Sequence, residues 1–370
     1  MSTSAPCVEP VVRQPGPPLG ARAEGAVRVR FLRDGDRDAW ENYVRNHPQA
    51  TLFHALGWGD AVVQAFGHEP YSLLAERGGG IVGLLPLFLV RSRLAGRLLV
   101  SVPYGVGGGS IADDVEATIA LFDRARSLAD EHACKGIDLR SATANVPGLP
   151  TNERYLGFER ELPNNVDEVL SWLPRKARAA ARNARHKHGL AIRFGDEYVD
   201  DVWTLYARSM RCLGSINYPL RFFRALLDRT PGRHWVSLAL WRNRPVGGLV
   251  TFLWRDRVMP YFVGTAATAR RCNAANYLYF AVMELAVQRG FRICEVGRSR
   301  RDNAGCCDFK RFHGFQSRPL GYQQYVSGGG SLHSLTPDNG NLVLARRVWS
   351  FLPLWITRPL GARLARHIPG

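Results

Sequence analysis

The sequence contains the stretch Ile293-Cys-Glu-Val-Gly-Arg-Ser-Arg-Arg-Asp-Asn-Ala-Gly-Cys-Cys-Asp-Phe-Lys-Arg-Phe-His-Gly-Phe315. This stretch joins a strand pattern, a charged turn and a lysine among aromatic residues. Ile293 and Val296 predict a short buried strand that runs into a polar, basic turn over residues 297–305. A strand that ends in a charged loop is where an α/β enzyme usually places its chemistry. The stretch is therefore the first candidate for a functional site.

The lysine in this stretch, Lys310, has two interpretations. Partly desolvated by Phe309 and Phe312, it would serve as a positive charge or a proton donor. Alternatively, the whole stretch is a solvated basic loop beside a β-hairpin. The sequence leaves both interpretations open.

The chain around this stretch has two similar halves. Each half is predicted to form a hairpin, a strand, a helix and a strand, and Val82-Gly83 corresponds to Val246-Gly247. The predicted elements of the first half are strands 71–76, 81–90 and 98–102, helix 113–132 and strand 137–140. Those of the second half are strands 236–241, 246–254 and 257–263, helix 275–289 and strand 292–297. The order predicts a tandem duplication of one α/β unit, with chance similarity as the alternative.

A basic helix is predicted between the halves, from Pro174 as its first residue to a stop at Gly189. Its arginines at 175, 178, 182 and 185 form one stripe, and its alanines at 177, 181 and 184 form a narrow face suited to close packing. The stripe is either a solvated face or a phosphate-binding edge for RNA or a nucleotide-bearing substrate.

The composition describes an ordinary globular chain with an unusual charge. Its 370 residues suggest two domains, and 49 basic against 32 acidic residues give a net charge of +17. Such an excess predicts an acidic partner, such as RNA, a phosphorylated cofactor, a lipid-linked substrate or an anionic membrane. Seven cysteines without a Cys-x-x-Cys pair predict reduced thiols in the cytoplasm and no metal site.

The two ends of the chain differ from its body. Residues 1–26 have no apolar signal core and are expected to be disordered. Residues 342–367 mix Trp349 and Trp355 with five arginines. This basic tail either lies on an anionic membrane or packs on the body, and Pro353 and Pro359 favour packing.

Three further segments carry weaker signals. The loop Gly105–Ser110 precedes a helix and is either a phosphate cradle or a tight turn. Residues 268–276 precede the second-half helix, where Arg271 would meet a phosphate and Asn273 or Asn276 would cap the helix. Tyr261 ends a strand and would orient a substrate, or it packs in the core. No Ser-His-Asp spacing and no His-Glu-x-x-His is present, so a hydrolase or metalloenzyme is not expected.

Several of these motifs, in this order and spacing, resemble the FemAB family. More narrowly, they resemble the FemAB-related proteins associated with exosortase (PEP-CTERM) and exopolysaccharide loci. The residues that carry the resemblance are Phe53-His-x-x-Gly-Trp58, Phe66-Gly-His-x-Pro-Tyr71, Leu84-Leu-Pro-Leu87, Tyr261-Phe-Val-Gly264, Glu295-Val-Gly-Arg-Ser299 and Phe309-Lys-x-Phe-x-Gly-Phe315.

The resemblance implies an α/β (α+β) fold with two tandem GNAT-like acyltransferase domains, each a mixed sheet flanked by helices. Classical FemAB members transfer an aminoacyl group from aminoacyl-tRNA to the amine of a peptidoglycan precursor, and other relatives use acyl-CoA. The domain boundaries expected here are a lead-in at 1–26, a first domain at 27–165, the basic linker helix at 166–190, a second domain at 191–327 and the tail at 328–370.

The resemblance also implies roles for single residues. Lys310 would stabilise negative charge on the tetrahedral intermediate or leaving group, and Tyr261 would position the acceptor or pass a proton. The pyrophosphate loop falls near 271–276, with Ala274 where its central glycine is expected. The residues expected to bind donor or substrate are Arg298, Arg301, Phe309, Phe312, Arg271, Asn276, Gly264, Arg178 and Arg182.

The function expected from these features is transfer of an acyl or aminoacyl group from acyl-CoA or aminoacyl-tRNA to an amine. The acceptor would be an amino sugar or peptide of an exopolysaccharide or cell-envelope precursor. The expected setting is the cytoplasm, with contact to the inner face of the membrane, and no DNA partner. The alternative is a non-catalytic protein that binds RNA or a membrane surface on an acyltransferase fold.

Overall fold

The computed structural model describes residues 25–93, 95–328 and 340–368, without the side chains of 340–343. The chain forms two compact units. Of the described residues, unit 1 comprises 156–318 and 340–362, and unit 2 comprises 25–155 without 94, 319–328 and 363–368. The predicted lead-in at 1–26 lies almost wholly outside the described residues.

Unit 2 contains two sheets and three helices among its described residues. A four-stranded sheet has the order β1-β3-β4-β7, and a five-stranded sheet has the order β16-β8-β6-β5-β2. The strands are β1 Arg28–Phe31, β2 Glu69–Pro70, β3 Leu73–Arg77, β4 Gly80–Leu85, β5 Phe88–Ser92, β6 Gly96–Val100, β7 Ile111–Ala112, β8 Gly136–Arg140 and β16 Tyr322–Val326. The helices are α1 Arg37–Asn46, α2 Leu56–Phe66 and α3 Val115–Glu131.

Unit 1 is built on a seven-stranded sheet of order β10-β11-β12-β13-β14-β9-β15. Its strands are β9 Tyr155–Glu161, β10 Ala191–Phe194, β11 His234–Trp241, β12 Arg244–Trp254, β13 Arg257–Thr265, β14 Ile293–Arg300 and β15 Gln316–Pro319. Its helices are α4 Val169–Trp172, α5 Arg175–Arg182, α6 Val199–Cys212, α7 Leu220–Arg229, α8 Ala274–Gln288, α9 Ala304–Phe312, α10 Gly340–Phe351 and α11 Leu354–Ala365, of which α11 ends in unit 2.

One predicted strand is divided in the structure. Residues 81–90 were predicted as a single strand, but β4 ends at Leu85 and β5 begins at Phe88. The two pieces belong to different sheets. Pro86 explains the break, because it has no N–H to give to a sheet ladder. The single-strand prediction is therefore wrong, although both pieces are extended.

Two strands, β9 and β16, each pair in a sheet that is formed mainly by the other half of the sequence. β9 follows the first half of the sequence but pairs within the seven-stranded sheet of unit 1. β16 follows the second half but pairs with β8 of unit 2, from Tyr322↔Arg140 to Val326↔Gly136. Each unit is thus completed by a strand that is distant in sequence.

The basic helix has the predicted packing face and a different start. Ala177, Ala181 and Ala184 are almost completely buried in the core of unit 1. Pro174 precedes the helix as its N-cap rather than forming its first residue, and the α-helix ends at Arg182. Residues 183–187 continue as a π-helical turn, which changes the angular spacing of the last basic side chains.

The described part of the tail is helical and packs on the body of unit 1 through several contacts. Trp349 Nε1 donates to the Ser215 carbonyl at 3.0 Å, and Arg211 donates to the Leu352 carbonyl at 3.0 Å. Thr357 is 1 % exposed. The expected packing of the tail is present. Among the described residues, no helix combines the length and apolarity needed to cross a bilayer.

Candidate active site

The candidate site lies where two neighbouring parallel strands of unit 1 separate. β13 and β14 are paired only at Arg257↔Ile293 and Val258↔Cys294. β13 then continues to Thr265 and β14 to Arg300 without further pairing to each other. In the diverging part of β14, the Gly297 carbonyl accepts from Lys310 Nζ at 3.1 Å and the Arg300 carbonyl accepts the Asn303 N–H at 3.0 Å.

A bulge on the other edge of β13 accompanies this separation. In the β12–β13 ladder, Val250 faces Phe262 and Thr251 faces Pro260, so Tyr261 is the extra residue. A bulge bends its strand and redirects a side chain. The Tyr261 ring is half-buried and lies edge-on to Phe252 and Phe262. The structure therefore gives Tyr261 an unusual backbone position together with ordinary aromatic packing.

Lys310 lies on a helix rather than in a loop. Residues 304–312 form α9, and the side chain of Asn303 caps it by accepting the Cys306 N–H at 3.2 Å. β14 also runs on to Arg300, beyond the expected end of the strand. The prediction of a basic turn over 297–305, and with it the solvated-loop interpretation, is wrong.

The Lys310 ammonium group is held against β14 and β9. Nζ donates to the Gly297 carbonyl at 3.1 Å and lies 4.7 Å from the centroid of the Phe158 ring. Gly297 has a φ of 58°, a backbone conformation that favours glycine. Burial lowers the pKa of Lys310 from 10.5 to about 8, against the opposing effects of nearby cysteines and Glu295. The side chain therefore remains mostly protonated at pH 7 and loses its charge as pH rises through about 8.

Arg160 of β9 fixes the end of the lysine-bearing helix. Its guanidinium donates to the His313 carbonyl at 3.0 Å and to the Trp172 carbonyl at 2.9 Å, and it stacks 3.4 Å from the Trp172 ring centroid. A side chain at Gly314 would overlap this guanidinium, which explains the glycine after the helix. No local sequence pattern indicated Arg160, because its contacts are long-range.

A charged ladder crosses four adjacent strands next to the lysine. Arg257 pairs with Glu159 at 2.9 Å and with Glu295 at 3.5 Å, and Arg318 approaches Glu159 at 3.5 Å. Burial raises the pKa of the Glu295 carboxyl, while Arg257, Arg318 and Lys310 oppose the shift. Glu295 therefore supplies part of the negative potential that favours the charged form of Lys310.

The structure brings some of the predicted binding residues close to Lys310. Phe309 and Phe312 share α9 with it and are half-buried against the core. Arg298 stands on β14, and its positive charge contributes to the lowered pKa of Lys310. Arg301 follows the end of β14 and is exposed.

Another set lies at the start of α8. Arg271 is exposed in the turn Ala267–Cys272, and Asn276 is in the first turn of the helix. Asn273 occupies the N-cap position with a φ of 56°. The Ala274 side chain is completely buried and lies towards Gly247, so its methyl group does not project from the helix end.

Two predicted binding positions have other surroundings. Gly264 is buried, and a side chain there would overlap the backbone of Leu205 and Tyr206 in α6, so close helix packing accounts for this glycine. On the basic helix, Arg182 is exposed and Arg178 is half-buried. Arg185 is paired with Glu284 at 3.1 Å, which relieves part of the charge repulsion along the stripe.

Unit 2 has a corresponding pair of strands with different surroundings. β6 and β8 pair in parallel only at Leu99↔Ile137 and Val100↔Asp138. The glycine-rich loop that follows β6 is buried from 101 to 110, and side chains at Gly105 or Gly109 would overlap Val102 or Ser141. The tight-turn interpretation of this loop is therefore favoured over a phosphate cradle.

Two other features of the described residues bear on binding. A cleft of about 430 Å³ lies in unit 2 and contains none of the predicted site residues. Its lining residues are Arg91, Ser92, Arg93, Gly96, Arg97, Arg366 and His367. Within the described parts of the chain, no cluster of three or more His, Cys, Asp or Glu side chains could hold a metal ion.

Comparison with known proteins places this site in a recognised fold. Residues 174–311 match the family described as Acetyltransferase (GNAT) domain. FemX is similar in structure with a TM-score of 0.60 and 13% identity, over 81% of this chain and 97% of that one. A search of curated proteins finds none that matches the sequence.

Two further solved structures are similar. A tandem GNAT protein from the clavulanic acid biosynthesis pathway has a TM-score of 0.54 and 14% identity, over 82% of this chain and 100% of that one. The C-terminal domain of a putative lysylphosphatidylglycerol synthetase from Agrobacterium fabrum has a TM-score of 0.50 and 11% identity, over 80% and 92%. The predicted fold class is confirmed: the chain has a mixed α/β fold of the tandem GNAT type.

Proposed function

We propose that this protein is an acyltransferase that moves an acyl or aminoacyl group onto an amine, and that unit 1 performs the reaction. The observation that carries the proposal is the half-buried Lys310 ammonium, held against Gly297 of β14 and Phe158 of β9 with a pKa lowered to about 8. A partly desolvated cation held in a fixed position is suited to stabilise developing negative charge.

In the proposed reaction, the acceptor amine attacks the carbonyl carbon of a thioester or ester. The carbonyl oxygen gains negative charge in the tetrahedral intermediate, and the thiolate or alkoxide then leaves while the amine loses a proton. Protonated Lys310 stabilises the anionic oxygen or the leaving group. Gly297 O and the Phe158 ring hold its ammonium group in position. Tyr261, at the bulge, would position the acceptor.

The donor would be acyl-CoA or aminoacyl-tRNA, bound through its phosphates. The N-terminus of α8 with Arg271 and Asn276, and Arg298 and Arg301 beside Lys310, offer positive potential for such a ligand. Arg178 and Arg182 would extend it along the basic helix. The Ala274 methyl is buried towards Gly247 and does not itself project from the helix end.

The acceptor class follows from resemblance rather than from a binding pocket. FemX and the C-terminal domain of a putative lysylphosphatidylglycerol synthetase share the fold, and several motifs of the chain resemble the FemAB family. On that analogy we propose an amino sugar or peptide amine of an exopolysaccharide or envelope precursor, in the setting of exosortase-associated loci. The reaction would take place in the cytoplasm, at the inner face of the membrane.

A test of the reaction compares Lys310→Ala with the matched variant Lys135→Ala, which removes an exposed lysine of unit 2. Turnover of acetyl-CoA or aminoacyl-tRNA with glucosamine or a lysine peptide is measured for both. Lys310→Ala is expected to lose about 100- to 1,000-fold in kcat, and Lys135→Ala to match the parent protein. Equal turnover of all three proteins would contradict the proposed role of Lys310.

Identification of the donor needs a separate measurement. Native mass spectrometry of gently purified protein, with and without RNase, distinguishes a bound coenzyme A mass from a bound tRNA. If no acyl transfer is found while RNA binding is lost in Arg178→Glu/Arg182→Glu, the protein is instead a non-catalytic binder.

A further inference from the structure

The C-terminal helices leave an apolar surface uncovered. Five of the ten large apolar side chains that are exposed among the described residues lie between 344 and 360. Leu344, Val348, Phe351 and Trp355 are 66, 53, 77 and 76 % exposed. Clustered exposure of this kind indicates an interaction site, whereas single exposed apolar residues need no explanation. We call these four side chains the tail stripe.

The geometry of α10 keeps the stripe facing away from the protein body. Leu344, Val348 and Phe351 are spaced i, i+4 and i+7, which places them on one side of the helix. Arg346 and Trp349 lie on the opposite side, where they donate to the Leu213 carbonyl at 3.2 Å and the Ser215 carbonyl at 3.0 Å. The helix therefore cannot bury its apolar side by rolling over without breaking these bonds.

Close backbone packing also fixes the orientation. A side chain at Gly214 would lie 2.7 Å from the Arg346 carbonyl oxygen, so α10 rests directly on this turn. Further along, Asn217 donates to the Arg358 carbonyl at 3.3 Å, and a side chain at Gly361 would meet the Asn217 amide. The two helices are held along their length with the tail stripe outward.

The charge of the tail favours one kind of partner. Residues 340–368 contain five arginines and no aspartate or glutamate. Arg347 is exposed next to Val348 of the stripe, whereas Arg346 faces the body and Arg358 lies 5.1 Å from the Trp203 ring centroid. A second copy of the chain would bring the same positive charge to the interface, and the two faces would repel. The tail stripe is apolar and its surroundings are positively charged. A bilayer rich in anionic lipid matches both features, because its acyl chains are apolar and its headgroups are negatively charged.

We propose that the tail stripe docks the protein on an anionic membrane surface. Phe351 and Trp355 would enter the boundary between headgroups and acyl chains, where aromatic side chains are favoured. The neighbouring arginines, including the exposed Arg347, would contact lipid phosphates. This docking is independent of the proposed acyl transfer, because the stripe contains none of the catalytic residues.

The test is co-sedimentation with vesicles of phosphatidylcholine, with and without phosphatidylglycerol. The variant Leu344→Ser/Phe351→Ser/Trp355→Ser removes the stripe. The matched control Val115→Ser/Ile119→Ser removes two exposed apolar side chains of α3, which are 58 and 42 % exposed. The parent and control proteins are expected to bind the anionic vesicles, less at high salt, and the stripe variant to bind at least about tenfold more weakly.

Several results would overturn the proposal. One is no binding of the parent protein to anionic vesicles, and another is equal binding of the stripe and control variants. A third is a dimer of the parent protein that the stripe variant converts to a monomer, without vesicle binding, since the stripe would then join two copies. Unchanged circular dichroism and melting temperature establish that each variant is folded, and turnover with soluble substrates is expected to stay at the parent level.

Discussion

The two units contain the same pair of parallel strands in different surroundings. In each unit, a helix joins the two strands, and the strands pair at only two positions. These are Arg257↔Ile293 and Val258↔Cys294 in unit 1, and Leu99↔Ile137 and Val100↔Asp138 in unit 2. Beyond the pair, the chain of unit 1 continues into α9, which carries the partly desolvated Lys310. In unit 2 a buried glycine-rich loop follows β6, and the buried cation next to it, Arg140, is already paired with Asp138 at 3.0 Å and donates to the Val102 carbonyl at 3.3 Å.

The closed arrangement in unit 2 is held by side chains. His54 donates from Nε2 to the Gly109 carbonyl at 3.0 Å and accepts the Thr51 N–H at Nδ1. The amide of Asn145 donates to the Ser110 carbonyl at 2.8 Å. These bonds satisfy the buried polar groups of the loop, as an enclosed loop requires. The loop of unit 2 is thus enclosed by its own hydrogen bonds, whereas our proposal assigns the reaction to unit 1.

The largest expected effect concerns Gly264, for which packing and ligand binding predict different outcomes. Gly264→Ala places a methyl group on the backbone of α6, and we expect it to lower the free energy of unfolding by about 3 kcal/mol or more. Denaturant unfolding measures this loss. Gly35→Ala is the control, because no atom lies within 4 Å of the added carbon. An unaltered stability with a raised KM for the donor would instead support ligand binding at Gly264.

The next effect concerns the stability cost of keeping Lys310 charged. Its pKa is about 8 in the folded protein against 10.5 in the unfolded chain, so the unfolded chain binds more protons between these values. The free energy of unfolding therefore rises with pH between about 8 and 10.5 because of Lys310. This increase is lost as pH falls through about 8. Lys310→Met is expected to raise the free energy of unfolding near neutral pH by at most about 3 kcal/mol.

This gain from Lys310→Met is expected to shrink as pH rises from about 8 and to disappear above pH 10.5, where lysine is neutral in both the folded and the unfolded chain. Denaturant unfolding of the two proteins at several pH values measures the difference. A difference that stays constant with pH would contradict a lowered pKa.

A smaller effect is the pH dependence of turnover. If protonated Lys310 stabilises the anionic oxygen, kcat/KM falls above pH about 8 by roughly tenfold per pH unit. Lys310→Arg stays charged and is expected to be slower but flat over the same range, because guanidinium geometry differs from that of an ammonium group. A rate that rises through pH 8 in the parent protein would assign Lys310 the role of a neutral base.

The smallest effect belongs to the basic helix. Arg182 is exposed, and Arg182→Ala removes one charge available to a donor phosphate. We expect the KM for the donor to increase by about twofold to tenfold, with a weaker dependence on salt. Arg229→Ala, at an exposed position of α7, is the matched control. Equal KM values for the two variants would remove the basic helix from the donor site.

Local sequence patterns predicted most of the secondary structure. The alternation in residues 257–263 and the apolar face of the helix at 275–289 correspond to β13 and α8, within a few residues. The flanking phenylalanines raised a desolvated Lys310 as one of two interpretations. These features depend on neighbours in sequence, which is why periodicity and composition reveal them.

Features that depend on distant contacts were missed. α9 was not predicted, and the turn expected over 297–305 covers only its first two residues, although Asn303 ahead of Cys306 is a recognisable capping signal. Arg160, Glu295 and the placement of β9 and β16 have no local signature. Pro86 was enough to predict that β4 and β5 are separate strands, but the prediction placed it inside a single strand.

The central claim is that the Lys310 ammonium is desolvated in unit 1, and its titration tests this most directly. The chain has only four lysines, at 135, 176, 187 and 310. Nuclear magnetic resonance of protein labelled with carbon-13 at the lysine ε position therefore gives a simple spectrum, in which Lys310→Arg identifies the signal of interest. The predicted result is a midpoint near pH 8 for that signal. A midpoint at the ordinary value of 10.5 would contradict the account.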